Sequence, residues 1–503
     1  MTSLPVFVLL TPLVFAAVLF CGHSWGRERV LAINALGASA VFGLALFQWI
    51  QVWTGRTIVS TLASWPLPYG IALVADLFSA SMVLVSTLVG FCVALSLRHN
   101  QEFDPGRFGY AIAFQTLLTG VCGVFLSGDL FNMYVWFEVM VVSSFVLFVY
   151  EAGKAQLAGA MKYAVPNYLA SLLFLSAAGL LYGTLGTLNL ADLANRIHEA
   201  LSGTPNHQVA IRSAFVFLIF AFCLKAGAFP LSFWLPASYP VVSVPTLALF
   251  AGLLTKVGLY ALVRTSTLLF PDVWPFSRTL LLIVAGLSMV TGILGAISQF
   301  EIRRILSYHI ISQIGYMILG FALGTKAALM AAVFYVIHHI LVKTNLFLIG
   351  GLICQVGGTF DLKKTGGLAR HYPFLAAIFF IPAFSLAGFP LLSGFFAKFS
   401  LLKAGFDEGA YVLMGIALGV SFLTLISMLK IWIEAFWKPV PLKSNAPPFR
   451  ALSWGQLLPL LIMAGSTLAL GLWPQLLFGP AERIADEIRG RNVYVEAVLG
   501  EAR

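Results

Sequence analysis

Long apolar segments alternate with short polar connections along almost the whole chain of 503 residues. The segments recur at lengths of about 20 residues, which is what an α-helix needs to cross the hydrocarbon core of a membrane. They do not alternate polar and apolar residues at every second position, as the strands of a membrane β-barrel would. We therefore predict an all-α integral membrane protein with about fourteen spans, at residues 4–22, 30–53, 71–97, 109–127, 130–150, 162–184, 211–237, 244–270, 279–299, 303–324, 327–351, 373–403, 409–437 and 455–478.

The seventh and twelfth predicted spans are interrupted by glycine and proline. The seventh contains AGAFPL, with Gly227 and Pro230, and the twelfth contains AGFPL, with Gly388 and Pro390. A proline removes a backbone hydrogen bond from a helix, which a membrane tolerates only where protein or water covers the freed group. Matching interrupted segments in the two halves of a chain point to an inverted-repeat transporter whose site lies near the membrane midplane.

The composition supports a membrane protein without a redox centre. The chain is 60% hydrophobic and 10% charged, against roughly 25% charged residues in soluble domains. The net charge of +10 does not indicate nucleic-acid binding, because the lysines and arginines lie mostly between the spans. The five cysteines share no metal-ligand spacing. Since no nucleotide, haem or iron–sulfur motif is present either, we predict no cofactor and no metal site.

The basic residues also predict how the chain is oriented. Connections after odd-numbered spans carry more lysine and arginine than those after even-numbered spans, where we count Arg264. Because basic connections stay on the cytoplasmic side, both termini are expected outside. The first apolar run has no basic stretch before it, so we interpret it as a span and not as a cleaved signal. We expect a multi-pass protein of the inner (plasma) membrane.

Six of the ionisable residues that fall inside the predicted spans are the candidates for proton transfer. A charged side chain at this depth costs at least about 2.5–3.5 kcal/mol on insertion scales, so it is interpreted as functional by default. The sequence offers Lys225 as the ionic partner of Glu138, and His339 and Lys343, four residues apart, share one helical face. The six candidates are Glu138, Lys225, Lys256, His339, Lys343 and Lys398.

Other ionisable residues allow more than one interpretation. His338, His309 and Lys430 are possible relay groups, but either histidine in span eleven also suits a packing role with a backbone partner. Lys430 and Glu434 are four residues apart, so an ordinary ion pair within one helix is the expected arrangement. Asp76 and Asp129 fall near predicted span ends, where a charged side chain reaches water at little cost in free energy. The polar tail after residue 480 has apolar residues at helical spacing, which suits a helix lying on the membrane surface.

Six segments of the chain resemble a known membrane-protein family. GDLFNMYVWFEVM, LKAGAFPLSFWLP, LTKVGLYALVR, LSYHIISQIGYM, HHILVKTNLFL and LAGFPLLSGFFAKF occur in this order between about residues 70 and 440. They resemble the antiporter-like subunits shared by respiratory complex I and the multisubunit Mrp cation/proton antiporters, and most of all the D-subunit branch of the Mrp antiporters.

The resemblance implies a detailed architecture. It implies two inverted five-helix repeats, at 109–270 (helices 4–8) and 279–437 (helices 9–13), preceded by three helices at 1–108 and followed by a last helix and tail at 455–503. It also implies a Glu138–Lys225 pair, a central Lys256 and a terminal Lys398. Lys398 departs from the glutamate found in one complex I subunit.

Our leading hypothesis is therefore a transporter subunit and not an enzyme. It would translocate protons in a multisubunit monovalent cation (Na⁺)/proton antiporter, with the other subunits, protons, a monovalent cation and the lipid bilayer as partners. The alternative is a proton-pumping membrane subunit of an NADH:quinone oxidoreductase or a related hydrogenase-type complex. A self-sufficient transporter of an organic substrate is disfavoured, because the spans show no convincing binding groups besides lysines.

Overall fold

The protein is almost entirely helical in a computed structural model that describes residues 3–62, 65–99, 104–106, 109–202, 205–271, 274–440 and 451–500. The strands are β1 (Ile58–Thr61) and β2 (Ala72–Ala75). The helices are α1 (Leu4–Cys21), α2 (Arg27–Thr54), α3 (Leu77–Leu97), α4 (Tyr110–Leu126), α5 (Leu130–Val149), α6 (Lys154–Leu185), α7 (Leu190–Leu201), α8 (Pro205–Ala226), α9 (Trp234–Ser238), α10 (Val244–Leu269), α11 (Trp274–Ser298), α12 (Ile302–Leu323), α13 (Lys326–Gly357), α14 (Leu368–His371), α15 (Pro373–Ala387), α16 (Ser393–Asp407), α17 (Tyr411–Ile431), α18 (Trp454–Leu472), α19 (Gln475–Arg489) and α20 (Arg491–Leu499).

The helices confirm the predicted membrane fold. Within the described residues, 12 helices are long and apolar enough to cross a membrane. The helix α4 is slightly shorter, and the twelfth predicted span consists of two short helices, α15 and α16. Each of the fourteen predicted spans therefore corresponds to one helix or to one interrupted pair.

Two predicted spans extend about six residues beyond their helices, each for a local reason. The third span was predicted from residue 71, but residues 72–75 form β2, which pairs antiparallel with β1. Asp76 then starts α3 as its N-cap, accepting a hydrogen bond from the Ser79 amide at 2.8 Å. The last span was predicted to reach residue 478, but α18 ends at Leu472 because Pro474 disfavours helical geometry in the residue before it.

The C-terminal tail also differs from its prediction. We expected a helix lying on the membrane surface, but α19 packs against α13 and α3. Its apolar residues Ile484 and Ile488 are buried inside the protein. Arg483 holds the helix in place by donating to the backbone carbonyls of Val52, Trp53 and Gly55. The apolar face of α19 is therefore covered by protein and not by lipid.

The two halves of the chain share a local arrangement at the start of corresponding helices. Asp129 caps α5 by accepting from the Asn132 amide, and Glu301 caps α12 by accepting from the Arg304 amide. Each cap also forms an isolated antiparallel bridge, Asp129 with Asn189 and Glu301 with Asp361. From the start of α5 to the start of α12 the chain crosses the membrane five times, counting α5 itself, so the two starts lie at opposite membrane faces. This arrangement suits inverted repeats, whose boundaries stay a prediction.

The middle of the bundle is formed by α10, α12 and α13. Nearly every residue of these three helices is buried in the protein, although each helix is long enough to span a membrane. Long spans that have no lipid-facing side are free to carry polar side chains without exposing them to hydrocarbon.

Candidate functional site

The first predicted helix break lies between α8 and α9. Gly227 adopts a left-handed backbone with φ of 73°, and a Cβ there would meet Leu235 Cδ1 at 2.3 Å. A glycine is therefore needed both for the backbone and for the close approach. The indole nitrogen of Trp234 donates to the Leu224 carbonyl at 3.1 Å, so a backbone acceptor near the break is satisfied. This confirms the interruption predicted from Gly227 and Pro230.

The second predicted break lies between α15 and α16 and holds an amine. Gly388 has φ of 92°, and the chain passes Pro390 before it resumes as α16 at Ser393. The Ala387 carbonyl, freed at the break, accepts from Lys398 Nζ at 3.2 Å and from Ser421 Oγ at 3.0 Å. The break therefore supplies the acceptor that a buried ammonium or amine needs.

Glu138 and Lys225 lie near each other without forming a direct ion pair. The Lys225 ammonium donates to Ser171 Oγ at 3.2 Å and lies 4.8 Å from the ring centre of Phe137. Glu138 is an electrostatic neighbour of Lys225. Its Oε1 atom is buried and has no hydrogen-bond partner among the residues that the structure describes. Lys225 therefore donates a hydrogen bond to the Ser171 hydroxyl, and it does not pair directly with the nearby Glu138 carboxylate.

Lys256, Lys343 and His339 form a cluster between α10 and α13. All three side chains are completely buried, and each is an electrostatic neighbour of the other two. Lys256 Nζ donates to the Ala251 carbonyl at 2.5 Å, and Lys343 Nζ donates to the Leu306 carbonyl at 3.1 Å. Neither ring nitrogen of His339 has a hydrogen-bond partner in the described part of the chain. The structure thus brings three basic side chains together in the protein interior.

The other two candidate histidines, His338 and His309, form hydrogen bonds with serine hydroxyls. His338 Nδ1 lies 2.8 Å from Ser393 Oγ, at the start of α16, and His309 Nε2 lies 2.9 Å from Ser427 Oγ. Both rings are buried. His338 therefore connects the helix of the central cluster to the second helix break.

In space, two tyrosine rings lie between His338 and Lys398, and no pattern in the sequence indicates them. The Tyr335 ring lies 5.9 Å from the His338 ring and stacks on Tyr316 at 5.4 Å. Lys398 Nζ in turn lies 5.2 Å from the ring centre of Tyr316. Tyr335 donates its hydroxyl to Gln313 Oε1. A tyrosine in an apolar helix looks like any other core residue, so only the packing reveals this row of polar groups.

Lys430 has a structural partner that the sequence did not predict. We expected an ion pair with Glu434, but Glu434 pairs with Lys438 at 2.6 Å. The Lys430 amine instead donates to carbonyls at the end of α11, including Ile297 at 2.7 Å and Gln299 at 2.6 Å. A cation at a helix C-terminus satisfies the last carbonyls and interacts favourably with the helix dipole.

A buried ion pair closes one end of α10. We assigned Arg264 to a connection and Asp76 to a solvated span end, and both predictions are wrong. Arg264 Nη2 lies 2.5 Å from Asp76 Oδ2, and the two side chains are only 8% and 6% exposed. Arg264 also donates to the Tyr260 hydroxyl at 3.2 Å. Lys256, Tyr260 and Arg264 follow each other at four-residue spacing, so they lie on one face of α10.

The lysines of the central cluster and of the second break have no acidic partner in the part of the chain that the structure describes. Within the described residues, no carboxylate oxygen comes within 4.0 Å of Lys256, Lys343 or Lys398, whose partners are backbone carbonyls and a serine hydroxyl. The described residues also contain no group of His, Cys, Asp and Glu that could hold a metal ion. The structure therefore places these ionisable side chains in the interior of the bundle, and their role in proton transfer stays a prediction.

Comparison with known proteins identifies the family. The family model described as "NADH:quinone oxidoreductase/Mrp antiporter, TM" matches residues 127–424. The chain therefore belongs to the family of antiporter-like membrane subunits that NADH:quinone oxidoreductase and the Mrp antiporter share.

The relatives narrow the class to the antiporter branch. The chain is 41% identical to the D subunit of the Na(+)/H(+) antiporter of Alkalihalophilus pseudofirmus over 504 residues, covering all of both chains. It is 38% identical to the protein of the same name from Bacillus subtilis, again over 100% of both. A chain in the structure of the Mrp complex from Dietzia sp. DQ12-45-1b superposes with a TM-score of 0.91 at 31% identity, covering 99% of each chain. These relatives are named as transporter components and not as enzymes.

Proposed function

We propose that this chain is the proton-translocating subunit of a multisubunit Na⁺/proton antiporter in the plasma membrane, with both termini outside. Its partners are the other subunits of that complex, and its cargo is the proton. The names of the relatives support the antiporter assignment, and the level of sequence identity to them favours it over a redox-linked complex. The cation path itself lies in the same complex, at a place that this chain does not define.

The observation that carries the proposal is the central cluster of Lys256, Lys343 and His339. Three basic side chains are completely buried next to each other without a carboxylate among the described residues to neutralise them. Keeping like charges together in a low dielectric is costly, so a purely structural role gives no reason for them. Groups that exchange one proton among themselves do not have to be charged together.

The proposed route runs through the two helix breaks. A proton enters the first half at Glu138 and Lys225, and passes to the central cluster. It crosses to the second half by way of His338, whose Nδ1 lies 2.8 Å from Ser393 at the start of α16. It leaves through Lys398, which is held by the carbonyl freed at the second break. The Glu138 carboxylate sets the field at Lys225, so protonation of one changes the proton affinity of the other.

The experiment uses inverted vesicles that contain the assembled complex. Glu138→Gln and Lys256→Met should each abolish Na⁺-dependent proton movement, measured with a fluorescent pH probe, while the complex still assembles. Lys162→Met is the matched control, because Lys162 is an exposed lysine in the first half of α6 and should tolerate the change. Wild-type exchange in either site variant would overturn the proposal, and so would an equal loss in the control.

A further inference from the structure

A cavity of about 210 Å³ opens at one membrane face between the ends of four helices. The end of α3, the start of α10, the end of α13 and the start of α18 surround it. All four helix ends lie on the face that the loop charges predict to be cytoplasmic. The site described above has no assigned route to water on this face.

The mouth of the cavity is polar, and the cavity has room for several waters. Ser96, His99, Gln355 and Gln456 contribute to the lining, and Gln456 Nε2 donates to Gln355 Oε1 at 3.1 Å. A water molecule occupies roughly 30 Å³ in the liquid. The deeper lining includes Leu348 and Leu460 and is apolar. The lining is therefore polar toward the membrane face and apolar toward the centre of the bundle.

On the side of the cavity nearer the centre of the bundle, α13 carries buried polar atoms that have no hydrogen-bond partner among the described residues. Asn345 donates through Nδ2 to the carbonyl of Leu460, a residue of the cavity wall, at 3.4 Å. Its Oδ1 atom and the Oγ1 atom of Thr344 are buried without a hydrogen-bond partner in the described structure. Buried polar atoms of this kind are normally satisfied, and ordered water is the usual partner. Thr344 is only one helical turn, about 6 Å, from Leu348 in the wall.

The facing helix α10 leads from the same cavity to Lys256. Pro245 lines the cavity, Gly252 follows two turns later, and Lys256 one turn after that. A Cβ at Gly252 would lie 2.4 Å from Thr344 Oγ1, so the hydroxyl sits directly against the glycine. The adjacent Thr255 Oγ1 also lacks a partner in the described part of the chain. The polar atoms thus continue from the cavity wall to the position of the central lysine.

We propose that this cavity, with Thr344 and Asn345 at its base, is a water-filled chamber through which hydronium and water exchange protons with Lys256 and Lys343. In the transfer, a proton passes from hydronium to the neutral amine, leaving water and an ammonium, and the reverse step returns it. The inference rests on the proposed function and adds to it the point of contact between the central cluster and one aqueous phase.

Cys354 lies in the wall of the cavity and provides the first test. In a complex whose subunit retains only this cysteine, a permanently charged, membrane-impermeant methanethiosulfonate should react with it from one face of the vesicle only. The attached cation should lower the exchange rate at least tenfold, and a reducing agent should restore it. The same subunit with Cys354→Ser is the control and should ignore the reagent. Absence of reaction from either face, or full exchange after complete reaction, would overturn the proposal.

Thr344→Val tests the polar step without a label, because valine keeps the shape of threonine and removes the hydroxyl. The exchange rate should fall at least fivefold at unchanged thermal stability. Thr424→Val is the matched control, since Thr424 is buried in α17 and its hydroxyl donates to the Val420 carbonyl of its own helix. An unchanged rate in Thr344→Val contradicts the chamber alone. Absence of exchange in the unmodified complex would instead contradict the proposed function.

Discussion

The ion pair between Asp76 and Arg264 allows a quantitative test of the electrostatics of the bundle. Both groups are less than a tenth exposed, and their N–O distance is 2.5 Å. Asp76→Asn removes the negative charge but keeps the cap of α3, because asparagine is also a good N-cap residue. Removing one partner of a buried pair leaves the other charge uncompensated and costs about 3–5 kcal/mol. We expect Asp76→Asn to lower the free energy of unfolding by this amount.

A second variant separates the lost charge from any other effect of the substitution. In Asp76→Asn combined with Arg264→Met, both charges are gone, and replacing a buried ion pair by apolar groups is often neutral. The double variant should therefore recover most of the stability that the single variant loses. Asp192→Asn is the control, because its partner Arg196 is 44% exposed and such a pair is worth less than about 1 kcal/mol.

The measurement is the free energy of unfolding of the purified protein, from titration with sodium dodecyl sulfate followed by tryptophan fluorescence. The reasoning is refuted if Asp76→Asn stays within about 1 kcal/mol of the wild type. It is refuted equally if the double variant is no more stable than the single one, because the pair would then carry no coupling energy.

Three further predictions concern contacts between helices. Gly292→Ala should lower the free energy of unfolding by about 1–3 kcal/mol in the same titration, because the added Cβ would lie 2.3 Å from the Ser312 backbone nitrogen. Gly415→Ala is the control, and it should not lower the free energy of unfolding, because the space around Gly415 is open. Lys430→Met should lower the free energy of unfolding by about 1–3 kcal/mol by removing the charged donor at the end of α11; a large loss of exchange at unchanged stability would instead indicate a relay role. Arg483→Ala should speed amide hydrogen exchange in α19, because it removes the donors that tie this helix to α2; unchanged protection would contradict that anchoring.

Much of the fold could be predicted because its signals are local in the sequence. Runs of apolar residues set the spans, and glycine with proline marked both helix breaks, whose backbone angles at Gly227 and Gly388 suit glycine. The buried lysines were equally visible, because a charge within an apolar run stands out from its neighbours. In the structure Lys256 and Lys343 are electrostatic neighbours of His339, and the role of the three residues stays a prediction.

The predictions that failed depend on contacts between distant parts of the chain. Arg264 lies near the end of an apolar run, and no local pattern tells that Asp76 reaches it from α3. Lys430 and Glu434 have the spacing of an ion pair within one helix. Lys430 instead donates to backbone carbonyls of α11, and Glu434 pairs with Lys438. In the same way, the tail has the pattern of a surface helix, and only the packed bundle shows that protein covers its apolar face.

The two kinds of buried cation in this protein differ in a way that suits their roles. Arg264 is held by a carboxylate, which stabilises only the charged form, and arginine does not lose its proton in proteins. Lys256, Lys343 and Lys398 are held by backbone carbonyls, which accept a hydrogen bond from an ammonium and from a neutral amine alike. A lysine in this setting gains or loses a proton without losing its partner. Under the proposed function, the group that stays charged and the groups that exchange protons thus differ in their hydrogen-bond acceptors.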